Sequence, residues 1–163
     1  MRTLKELVEH AADFARETFD SSGELMPMWL GQLPDGEIFP IVGVFDAEKS
    51  KDRIADEVRA EFQKAGVESL AFMSEAWTLN SKKLGMDGIK AFLASGMRVS
   101  ESPDRIEAIT IIAEDNRGHA LHAQMKIERS AGGKGRLLPI EWFPEDGKVE
   151  GRFTNMLAKV PVH

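Results

Sequence analysis

The chain contains no cysteine, which excludes structural disulfides, thiolate metal sites, iron–sulfur clusters and a cysteine nucleophile. Tyrosine is absent as well, so no phenol can take part in proton transfer. Long apolar runs are missing: nothing approaches the ~20 residues of a membrane-spanning helix, and residues 1–10 lack the apolar core of a signal peptide. Acidic side chains at 6, 9, 13, 17 and 20 are equally unlike an organelle presequence. The expectation is a cytoplasmic protein with no membrane partner. A general basic surface is lacking too. Residues 1–70 hold 8 Lys/Arg against 15 Asp/Glu, while residues 71–163 hold 13 against 12, which disfavours nucleic-acid binding.

What remains is ordinary globular material, 42% apolar and 29% charged over 163 residues, enough for a single domain spanning 1–163 with one core. Leu4, Leu7, Val8, Ala11, Ala12, Ala15 and Phe19 recur at helical spacing and predict an amphipathic helix over 4–19, closed by residues 20–23. Two apolar runs, 25–33 and 38–45, flank Pro34-Asp-Gly-Glu37, the pattern of a β-hairpin. Pro27 and Pro40 cannot donate ladder hydrogen bonds, so each requires an edge, bulge or terminal position. Ile54, Ala55, Val58, Phe62 and Ala65 form the stripe of a second helix over 47–65, capped by Asp46 or Ser50 and ended by Gly66.

Residues 69–79 read as a strand apolar on both sides, hence central in its sheet. From 80 to 104 the periodicity lapses, leaving a long loop or insertion with room for a short helix at 89–93. The runs 106–114, 120–128 and 137–143 then predict a three-stranded meander. The order α-β-β-α-β-loop-β-β-β predicts an α+β fold: an antiparallel sheet of five to six strands with two helices on one face. Profilin-like, PAS-like and JAB deubiquitinase-like folds resemble this order, which implies no chemistry. The JAB His-x-His pair is absent.

Candidate chemistry is sparse. His119 and His122 are the close histidine pair, but residues three apart on a strand point to opposite faces, so no metal site is expected. Neither a dinucleotide fingerprint nor a Walker loop occurs, and no cofactor is expected. The glycine-rich stretch Gly132-Gly-Lys-Gly-Arg136 precedes a strand rather than a helix; it reads as a hairpin loop whose Lys134 and Arg136 could meet an acidic partner. Glu75 shares a strand face with Met73, Trp77 and Leu79. A carboxylate there must be paired, solvated or tuned. With Glu107 it could form an acid–base pair beneath a mobile 80–104 loop; alternatively Arg105 or Arg98 pairs with Glu75 structurally.

Ser74-Glu-Ala-Trp77, followed by Ser102-Pro-Asp-Arg-Ile-Glu107 and Ala113-Glu-Asp115, resembles a pattern in uncharacterised bacterial and phage-encoded proteins. The resemblance covers about a quarter of the chain and implies no activity, cofactor or site residue. Taken together, the residues point to a non-catalytic binding or self-associating module, a homodimer meeting through a sheet edge or through the hairpin around Trp29 and Phe39, with Trp77 as a further contact and a protein partner as an added possibility. The alternative is a small hydrolase-like enzyme using Glu75 and Glu107.

Overall fold

The computed structural model describes residues 1–43, 51–130, 135–143 and 156–157. The Asp46 and Ser50 caps and Lys134 lie outside them. Helix α1 (Leu4–Ser22) opens on a reciprocal cap in which the Thr3 hydroxyl accepts from the Glu6 N–H while the Glu6 carboxylate accepts from the Thr3 N–H. Strands β1 (Met28–Gln32) and β2 (Ile38–Val42) form the hairpin. Helix α2 (Lys51–Ala65) follows, then β3 (Ser69–Leu79), helix α3 (Ser81–Ser95) and a 3-10 turn at Val99–Glu101. Strands β4 (Arg105–Asp115), β5 (Ala120–Arg129), β6 (Gly135–Leu137) and β7 (Glu141–Trp142) complete the order.

The sheet runs β2-β1-β3-β4-β5-β6, with β7 also on β5, and every described pairing is antiparallel. The α+β class and the central place of β3 therefore hold. Three details differ from expectation. The last strand of the meander is broken into β6 and β7, because Pro139 has no N–H to offer at that point in the ladder. Within 80–104, the short helix expected at 89–93 extends over 81–95, so most of the expected loop is helical.

The third difference concerns the helices, which cover opposite faces. Met28 and Leu30 of β1, Ala71 and Met73 of β3, and Ile109, Ile111 and Ala113 of β4 pack with Leu7, Val8, Ala11, Ala12 and Ala15 of α1. Their strand neighbours Trp29, Leu70 and Phe72 turn the other way and pack with Ile54, Val58 and Phe62 of α2. The alternation of side chains along a strand forces this separation, since apolar residues at both parities need cover on both sides. Met156 and Leu157 join the α2 side, where the Met156 N–H donates to the buried Glu114 carboxylate.

Close packing explains two glycines. A Cβ on Gly31 would lie 2.9 Å from the Phe62 ring, and one on Gly135 would lie 2.8 Å from the Phe19 ring. Gly135 therefore serves the contact between α1 and β6. Among the described residues, no helix is long and apolar enough to cross a membrane.

Candidate functional site

The long antiparallel pair β3–β4 sets directly opposed residues in rows: Glu75 faces Ile109, and Trp77 faces Glu107. Beyond the C-terminal end of α1 this face carries Glu75, Trp77, Arg105, Glu107 and Arg129. A hollow of about 280 Å³ lies there, lined by Glu75, Ala76, Trp77, Glu107 and Ile127. The structure thus brings the two candidate carboxylates to one hollow, yet each has a partner. The Glu75 carboxylate accepts the Leu25 N–H at 2.8 Å; the Glu107 carboxylate accepts from Arg129 Nε.

The expected Glu75–Arg105 ion pair is not formed. Arg105 instead lays its guanidinium over the Trp77 ring, 5.0 Å from the centroid, and donates to the Ser102 carbonyl. An aromatic face attracts a guanidinium in its own right, and Glu75 is occupied by the chain segment that leaves α1. Glu75 therefore fastens the α1–β1 connection to β3. Arg129, reaching both Glu107 and the Phe19 ring at 5.8 Å, closes the same corner. Nothing in the sequence announced the Leu25 contact, 50 residues away.

The other candidate residues are dispersed. Trp29 is fully buried and packs on Phe72, with ring centroids 4.7 Å apart. Phe39 is half-buried, its ring edge-on to Phe62 at 6.4 Å. Both serve the α2-side core, so the hairpin does not present the aromatic face proposed for a dimer. Trp77 is 45% exposed. Arg136 is exposed and paired with Glu128 at 2.9 Å.

The two histidines have separate surroundings. His119, in the β4–β5 turn, meets Asp115 through Nδ1 at 2.8 Å. Burial works against the charged Asp115 carboxyl, but the His119 backbone and ring and the Arg117 N–H outweigh it and hold the group below its ordinary value. His122 stacks on Phe143, centroids 4.3 Å apart, and burial holds its imidazole below the ordinary 6.5. As pH falls through that value the unfolded chain takes up the proton first, so stability is lost from there down to the folded-state value. The urea midpoint is expected to drop as the pH falls below the ordinary histidine value, and His122→Phe, which keeps the stack but cannot titrate, should flatten that drop. An unchanged slope would contradict it. Among the described residues no group of three or more His, Asp or Glu is placed to hold a metal ion.

A surface the sequence did not single out is the outer side of α3. The Asn80 side chain caps the Lys83 N–H, and Gly85, at φ 65°, ψ 178°, joins two helical pieces across a kink that a residue with Cβ would strain. No described side chain of this helix is buried. Met86 and Leu93 are each 69% exposed, and Met97, just past the Gly96 cap, is exposed as well. The spacing of seven residues sets Met86 and Leu93 on one stripe of the helix, with Lys90 between them. Faint 3.6-residue periodicity over 89–93 was the sole signal of this helix.

The last feature is a groove of about 510 Å³ beside the sheet edge, lined by Ile41, Val42 and Gly43 on one wall and by Ile54, Glu57, Val58, Ala60 and Glu61 of α2 on the other. Comparison with known protein families, with curated proteins and with solved structures finds no match to the chain.

Proposed function

We propose that the chain is a non-catalytic binding module that associates with a second copy of itself, using the outer stripe of α3 as its contact. The observation that supports this reading is the exposure of Met86 and Leu93 on a helix with no buried side chain among those described. A helix of this length is marginal in water by itself, and Gly85 and Gly88 weaken it further. An apolar stripe on such a helix gains from cover.

Edge-to-edge pairing of β2 is the weaker route to a dimer. Leu33 N–H donates to the Glu37 carbonyl and Gly43 N–H to the Pro27 carbonyl, so the odd positions of β2 face β1 and Ile38, Pro40 and Val42 face outward. Pro40 thus removes a donor from the open edge while costing the ladder nothing, a familiar guard against edge pairing.

The acid–base reading of Glu75 and Glu107 draws on the hollow they share. Against it, Glu107 is ion-paired with Arg129 and Glu75 accepts a backbone N–H, so each carboxylate already has a structural partner.

Light scattering should show the wild-type mass rising above 18.1 kDa with concentration, whereas Leu93→Glu should stay monomeric at the same concentrations. Because Leu93 is 69% exposed, the unfolding free energy of that variant should match the wild type within about 0.5 kcal/mol when both are measured dilute enough to be monomeric. A wild-type mass fixed at 18.1 kDa up to high concentration would reject the reading.

A further inference from the structure

The stripe on α3 and the groove between β2 and α2 lie toward the same end of the sheet. Ile38 of β2 aligns through Gln32 with Ser69 at the start of β3, while Val42 aligns through Met28 with Met73 further along. The Val42–Gly43 end of the groove is therefore the end toward which β3 runs before it feeds α3. From this placement and from their chemistry, we infer that the α3 stripe of one copy seats in the β2–α2 groove of a second copy, an inference that rests on the reading of the chain as self-associating through α3.

The two surfaces match in polarity and in charge. The groove has an apolar floor, Ile41, Ile54 and Val58, and an acidic rim, Glu57 and Glu61, one turn apart on α2. Arg53 already holds Glu57 at 3.3 Å. Glu61 forms no ion pair among the described residues, and the same is true of Lys90. The α3 stripe offers Met86, Lys90 and Leu93, two pliable apolar side chains with a cation between them. Seating Met86 and Leu93 on the apolar floor sets the Lys90 ammonium against the acidic rim, a contact that fixes orientation more than it adds affinity. The hollow is of the size that encloses a small ligand, so it admits side chains rather than a whole helix. If each copy gives its α3 and receives the other's, the contact is reciprocal and closes as a two-fold dimer instead of extending into a filament.

The absence of cysteine makes the test clean. Full-length Leu93→Cys and Glu61→Cys variants, one carrying a mass tag, are mixed and oxidised mildly, and the disulfide-linked species are resolved by intact mass. Both positions are exposed, so folding is preserved, and circular dichroism verifies it. The expected result is that the mixed 61–93 species dominates over either symmetric one. Dominance of the symmetric 93–93 species would overturn the groove as receptor while leaving self-association through α3 standing. No linked species, together with a monomer mass for the wild type, would overturn both. As a second readout, Lys90→Glu and Glu61→Lys should each weaken association severalfold, and mixing the two variants should restore it; failure of the mixture to recover would contradict the Lys90–Glu61 contact.

Discussion

Ile111→Asp is expected to abolish the cooperative unfolding transition or to cut stability by about 4 kcal/mol or more. Ile111 is fully buried at the middle of β4, opposite Met73 on one side and Ala123 on the other, within the cluster that α1 covers. A carboxylate there would meet no hydrogen-bond donor, since its neighbours are Met, Ala and Ile side chains. A domain of ordinary size has only about 5–15 kcal/mol to lose. The adjacent Ile112 supplies the control, because it points to the opposite face and is partly exposed. Ile112→Asp should therefore cost less than half as much, read from urea midpoints at one pH. Equal losses at 111 and 112 would contradict the assignment of the α1 face to the odd positions of β4.

That assignment bears on how much the sequence revealed. Strand β3 matches its expected span, 69–79, and β4 and β5 match to within one residue, because β-branched and aromatic runs bounded by Asp-Asn-Arg-Gly leave little ambiguity. The capped helix α1 was equally legible, extending only three residues beyond its last apolar position. The side of the sheet on which each helix lies was not legible from helix periodicity, which reports that a face is buried and is silent about what buries it. A signal did exist: Leu70 and Phe72 alternate with Ala71 and Met73, and a strand apolar on both sides needs cover on both. Of helix α3 only the short piece at 89–93 was legible, because Gly85 and Gly88 dilute its pattern and Met86 and Leu93 face outward.

The candidate site fared differently, and for a physical reason. Strand parity correctly set Glu75, Trp77 and Glu107 on one face. The partners of the charges could not be read, because they come from Leu25, Arg129 and Ser102, and only the fold brings Leu25 and Arg129 close. Arg105 chose the ring of Trp77 over the carboxylate of Glu75. Either partner would satisfy the guanidinium, and in the structure the Trp77 ring and the Ser102 carbonyl do so while Glu75 Oε1 accepts the Leu25 N–H.

On the other face of the sheet, Phe62→Ala is expected to destabilise by about 3–5 kcal/mol. The ring is fully buried, meets Phe39 edge-on and fills the space above Gly31, so its removal deletes the largest α2 contribution to the cluster around Trp29, Leu70 and Phe72. Gly31 makes the prediction sharper. A Cβ at that position would lie 2.9 Å from Phe62 Cε1 and 3.0 Å from Val67 Cγ2, so Gly31→Ala alone should cost about 1–3 kcal/mol through overpacking. In the Phe62→Ala background the main obstruction is gone and the added methyl enters the cavity, which turns the same substitution close to neutral. The double-mutant cycle should accordingly show a favourable coupling of at least about 1 kcal/mol, the mark of neighbours in direct contact. Additive losses in urea unfolding would mean that the Phe62 ring does not rest on β1, and α2 would then have to be held to the sheet by something other than this core.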